Sequence, residues 1–127
     1  MRYLIDTHVI IWLAVNAHEL PKGIKELIER TENDIYICSV SLWEIAIKIK
    51  LGKLDLKLPL DRLLNDIKTY GFNILQIEDN YLCKLLELPN IHKDPFDRLI
   101  ISTALVEGLT IITIDENIQK YDAQWIW

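Results

Sequence analysis

Tyr3-Leu4-Ile5-Asp6-Thr7-His8 is a short apolar, β-prone run that starts almost at the first residue and stops at an acid. A buried strand followed directly by a carboxylate fits a parallel sheet, where polar work is done just beyond the carboxyl ends of strands. Asp6 is therefore expected at the floor of a cleft, joined there by Glu44, Asp97 and Asp115 from distant parts of the chain. A plainer reading stands beside this one. An apolar helical pattern begins right after Asp6, so its carboxylate can also serve as a helix N-cap. For this residue taken alone, the cap is the better reading.

The same pattern recurs near the other end. Thr110 to Ile114 is nearly unbroken in β-branched residues, which marks a central strand buried on both faces, and it ends at Asp115. Ile35 to Cys38, after the turn Asn33-Asp34, reads as a second strand, Asn73 to Ile77 as a third, and Gln124 to Trp127 as a small edge strand. Helical spacing fills the intervals. Ile11, Trp12 and Val15 follow Asp6, and Ile24, Leu27 and Ile28 follow Pro21. Ser39 or Ser41 is expected to cap a helix carrying Leu42, Ile45, Ala46 and Ile49 and closed by Gly52. Leu60 to Ile67, Tyr81 to Leu86, and a helix opened by Asp94-Pro95 and stopped at Gly108 complete the series. Strands alternating with helices predict an α/β fold, a central parallel sheet of four to five strands covered on both faces.

The 127 residues are expected to form one domain, 1–127, long enough to bury about two-thirds of the unfolded surface. Half the residues are hydrophobic and 26% are charged, so the chain is globular rather than disordered. A net charge of −5 argues against holding nucleic acid by bulk electrostatics. It leaves a nuclease open, because acids gathered round a cation do not contribute their formal charge to the field a substrate meets. The two cysteines, Cys38 and Cys83, belong to no zinc-binding pattern. The apolar start is too short for a signal peptide, and the longest apolar run, Val9 to Val15, is too short to span a bilayer. A cytoplasmic protein is expected.

Each acid has a local explanation. Ser41-Leu42-Trp43-Glu44 matches a capping box, Asp94 followed by Asp97 matches a cap plus a dipole-favoured acid, and Asp115 can cap the turn after it. Together they say more. The ends of the first and last main strands share one edge, and Glu44 and Asp97 lie early in helices that start there. Two carboxylates about 5 Å apart repel by roughly 3 kcal/mol at an effective dielectric near 20, so such a cluster needs protons or a cation. Oxygen donors without His or Cys select magnesium or manganese over zinc. Arg98, Lys48 and Thr113 are candidate substrate contacts. Their local alternatives are an ion pair with Asp94, an i,i+4 pair with Glu44, and a strand-end hydroxyl bonded to backbone.

Four motifs resemble those of PIN-domain ribonucleases. They are Asp6-Thr7-His8-Val9-Ile10-Ile11-Trp12, Ser39 to Ala46, His92 to Ile100, and Ile112-Thr113-Ile114-Asp115. They cover the chain in order, and at this length the nearest resemblance is to VapC-type toxins of toxin–antitoxin pairs. The resemblance implies a three-layer α/β/α domain and an endoribonuclease dependent on Mg2+ or Mn2+. Asp6 and Asp97 would anchor the ion, and Glu44 and Asp115 would complete the pocket. It further implies RNA as substrate, products with 5′-phosphate and 3′-hydroxyl ends, a homodimer, and a small VapB-like antitoxin in a groove near the first helices. In the family pattern the ligand acid heads Asp97-Arg98-Leu99-Ile100, which leaves Asp94 as the helix cap. The rival from another class is an inactive interaction module whose acids only cap helices. A HAD-type phosphatase is set aside because His8 stands where its second acid belongs.

Overall fold

The computed structural model describes residues 1–127. Its sheet has five strands, β1 (Arg2–Ile5), β2 (Asp34–Cys38), β3 (Asn73–Leu75), β4 (Thr110–Ile112) and β5 (Trp125–Ile126). They lie in the order β3-β2-β1-β4-β5, and every neighbouring pair is parallel. β1 is central: Tyr3 pairs with Ile35 on one side and Thr110 on the other, and Ile5 with Ile37 and Ile112. That position explains the unbroken apolar runs, since Leu4, Ile5, Ile37, Ile111 and Ile112 are all fully buried. Each such side chain stabilises the fold by about 1.5–3 kcal/mol relative to an exposed one.

The helices are α1 (Thr7–Ala14), α2 (Lys22–Glu29), α3 (Ser39–Lys50), α4 (Leu60–Thr69), α5 (Asp79–Glu87), α6 (Pro95–Glu107) and α7 (Glu116–Gln119). They form two layers. Val9 and Ile10 of α1, Ile24 and Ile28 of α2, and Leu63 and Ile67 of α4 pack with Tyr3, Ile5, Ile35 and Ile37 on one face. Tyr81 of α5, Leu99 to Ile101 and Ala104 of α6, and Ile118 of α7 pack with Leu4 and Ile111 on the other. α3 bridges the layers, sending Ile45 into the first core and Val40 into the second. No helix is long and apolar enough to cross a membrane.

Two strands end earlier than the sequence pattern predicts. Ile77 and Ile114 are apolar but 49% and 45% exposed, and the ladders stop before them. Neither Ser39 nor Ser41 caps α3. β2 runs directly into that helix, Cys38 is the N-cap position, and no side chain caps it. Asp94 caps α6 as expected, accepting from the main-chain N–H groups of Phe96 and Asp97, with Pro95 in the first turn. The helix ends at Gly108 with φ +66, a left-handed conformation that strains any residue with a Cβ.

Candidate active site

The strand order reverses between β1 and β4, the place where an open parallel sheet forms its crevice beyond the carboxyl ends of the strands. Asp6 follows β1 directly and Asp115 lies three residues past β4, so both stand at this crevice. Asp6 is only 2% exposed. It does cap α1, because its Oδ1 accepts the Val9 N–H at 3.0 Å. Its Oδ2 accepts the hydroxyl of Thr113. Burial pushes the Asp6 carboxyl up from its ordinary value, and Asp115 adds to the shift, while Thr113, the Val9 amide and His8 oppose it.

Thr113 has 0% exposure and binds two partners, since its oxygen also accepts the Asp115 N–H at 3.0 Å. The side chain expected as a substrate contact is thus engaged inside the protein. The hydroxyl ties the β4 end to Asp6 and has no surface to offer RNA. Asp115 is half-buried and caps α7, with Oδ1 accepting from Asn117 N at 2.8 Å and Ile118 N at 3.2 Å.

Asp97 lies in the first turn of α6 and is half-buried. Burial pushes its carboxyl up to about 6, with Asp94 and Asp115 adding and His92 opposing. Its Oδ2 lies 3.1 Å from His92 Nε2. Asp115 therefore acts on both Asp6 and Asp97, and these three share one field. Glu44 is linked to this group through Thr7, the residue after Asp6. It is buried, with Oε1 accepting the Thr7 hydroxyl at 2.7 Å and Oε2 paired with Lys48 Nζ at 3.0 Å. The capping-box reading of Glu44 does not hold, because the helix begins at Ser39 and the carboxylate is spent on Thr7 and Lys48. No three Asp, Glu, His or Cys side chains lie close enough in this structure to form a ready-made metal cage.

Lys48 occupies the i,i+4 position its spacing allows, partly exposed beside the buried Glu44. Arg98 makes no pair with Asp94. Its Nη1 donates to Pro89 O at 2.8 Å and to the Tyr121 hydroxyl at 2.9 Å, so that nitrogen is committed within the protein. The contact from His92 to Asp97 was invisible in the sequence. A histidine five residues before an acid carries no helical or strand spacing to mark it, and its second partner, Tyr121, is 29 residues away. Near the rim, Trp43 is 62% exposed and meets Phe96 edge-on, with ring centroids 5.5 Å apart. Trp12 is half-buried against Trp127 at 5.8 Å.

The PIN domain family model matches residues 3–124. This chain belongs to the PIN domain family. Among curated relatives, it is 25% identical to Ribonuclease VapC22 of Mycobacterium tuberculosis over 123 residues, which cover 93% of this chain and 90% of the relative. Among solved structures, the PIN chain is similar to VapBC2 from Rickettsia felis bound to a DNA fragment from its promoter. That match has a TM-score of 0.74 and 20% identity over 99% of this chain and 98% of the other. A toxin–antitoxin complex from Klebsiella pneumoniae matches with TM-score 0.67 and 20% identity, covering 98% and 96% of the two chains. These structural likenesses establish the PIN fold, with its parallel sheet between helical layers.

Proposed function

We propose that this protein is a divalent-metal-dependent endoribonuclease of the VapC type, the toxin of a toxin–antitoxin pair. The observation that carries the reading is the placing of Asp6 and Asp115 just past the neighbouring strands β1 and β4, tied to one another through Thr113, with Asp97 in the first turn of α6. The named ribonuclease relative and the toxin–antitoxin complexes of like fold support it. The inactive-module alternative accounts for the Asp6 and Asp115 caps. It does not account for Glu44 and Asp97, whose side chains cap nothing.

The residues fit a hard cation. The donors are carboxylates, and Asp97 Oδ1 and Asp115 Oδ2 accept no hydrogen bond within the chain, which leaves them open to a cation. Ser41 Oγ, one turn before Glu44, is buried without a partner, and such a hydroxyl calls for a water or ion. Asp6, Asp97 and Asp115 would hold magnesium or manganese, with Glu44 completing the pocket. A bound ion supplies an activated water and neutralises the charge that develops on the phosphodiester. The protein's part is positioning. Thr113 and the Val9 amide hold Asp6, and Thr7 and Lys48 hold Glu44.

The antitoxin site is assigned to a cavity of about 710 Å³ between α1, α2 and α4, lined by Ile10, Leu13, Ile28, Leu63, Ile67 and Phe72. Lys25, Glu29, Arg30 and Asp66 stand among the apolar lining residues, and this mixed lining suits an amphipathic segment of a small partner. A homodimer completes the proposed assembly. Mapping the ends of cleaved RNA tests the chemistry. Fragments with 5′-phosphate and 3′-hydroxyl ends are expected. Cyclic 2′,3′-phosphates, the mark of attack by the RNA's own 2′-hydroxyl, would rule out hydrolysis by a delivered water.

A further inference from the structure

The geometry points to His92 as a positioning residue for Asp97, its orientation set by a relay that begins at Arg98 and passes through Tyr121. This deepens the metal-nuclease reading and rests on it. The Tyr121 hydroxyl receives Arg98 Nη1 at 2.9 Å and the His92 main-chain N–H at 3.4 Å, and lies 2.8 Å from His92 Nδ1. A phenol oxygen has two lone pairs and one proton. Both lone pairs face donors, so the proton points to Nδ1. The ring's own proton then sits on Nε2, which faces Asp97 Oδ2 at 3.1 Å.

The relay has a direction at every step, and each of its members is held. Arg98 is also anchored to Pro89 O at 2.8 Å. Tyr121 is buried, and its ring meets the imidazole edge-on with centroids 5.4 Å apart. The loop before α6, that helix itself and the segment after α7 are thus locked to one carboxylate. His92 occupies Asp97 Oδ2 and leaves Oδ1 without a partner, so it fixes which oxygen is left for a ligand. Hydrogen-bonding a metal ligand from behind in this way typically changes metal affinity by about 10- to 100-fold when removed.

The test is Mn2+ binding by the intact protein, followed through the paramagnetic resonance of free Mn2+, alongside RNA cleavage over a range of Mn2+ concentrations. His92→Leu is expected to weaken Mn2+ binding by about 10- to 100-fold. Tyr121→Phe, which keeps the buried ring and loses only the hydroxyl, gives a smaller change in the same direction. His92→Gln, which retains an N–H for Asp97, recovers most of the affinity. At saturating Mn2+ the cleavage rate of each variant returns to within a few-fold of wild type, because the ligand is misplaced rather than absent. Thermal melting in EDTA separates these effects from loss of fold. Wild-type affinity in both His92→Leu and Tyr121→Phe, or a loss in His92→Gln equal to that in His92→Leu, overturns the inference and leaves the nuclease reading standing. Absence of Mn2+ binding in the wild type overturns that reading and the inference with it.

Discussion

Replacing Thr113 by Val keeps the shape of a fully buried side chain and removes one oxygen. That oxygen serves two groups, donating to Asp6 Oδ2 and accepting the Asp115 N–H. A hydrogen bond to a charged group contributes about 1.5–3 kcal/mol, and an orphaned buried amide costs about 1–3 kcal/mol. Partial relaxation at the crevice reduces the sum, so a loss of about 2–4 kcal/mol is expected near neutral pH, on the order of 10 °C in melting temperature. The loss depends on pH. Burial already holds the Asp6 carboxyl above its ordinary 3.8, so the folded state binds its proton more tightly than the unfolded chain. Such a group weakens the fold as pH rises from the unfolded value through the folded one. Removing the Thr113 donor raises the folded value further, so the gap between variant and wild type widens from pH 4 to pH 8. Urea unfolding of the metal-free protein at both pH values measures it. A Val variant as stable as wild type at pH 8, or a gap that narrows with rising pH, refutes the role assigned to Thr113.

Asp97 gives a second pH effect. Its carboxyl is pushed from 3.8 up to about 6, which corresponds to at most about 3 kcal/mol of stability that is present below pH 4 and lost as pH rises through 6. Comparison of wild type with Asp97→Asn in EDTA should therefore show a flatter pH profile for the variant, and parallel profiles would contradict the assigned burial. At the groove between α1, α2 and α4, Leu13→Glu replaces an apolar lining residue with a charge. It is expected to abolish capture of the cognate antitoxin while leaving RNA cleavage within a few-fold of wild type. Unchanged capture would remove the groove from the account.

The sheet was legible because it depends on local pattern. A strand buried on both faces must be apolar throughout, and β1 and β4 advertise this; β1 meets Asp6 at once, whereas β4 stops three residues short of Asp115. Boundaries were less legible. Ile77 and Ile114 continue the apolar run past the last paired residue, and nothing in composition says that the neighbouring strand has ended. The start of α3 was missed by a residue or more because β2 passes into it without a loop, which leaves its serines inside the helix. The support of the acids was hidden for a different reason. Thr7 reaches Glu44 across 37 positions and Thr113 reaches Asp6 across 107, and only the folded sheet brings them together. The same distance concealed that Thr113 and Arg98 spend polar atoms inside the protein.

We propose that RNA hydrolysis by this chain depends on a divalent ion that Asp6, Asp97 and Asp115 would hold. The most direct test is cleavage of a single-stranded RNA by the purified chain in Mg2+, in excess EDTA, and in Mg2+ with Asp6→Asn. Cleavage in the first condition and none in the other two is the predicted result. Undiminished cleavage in EDTA, or by the Asn variant, contradicts it.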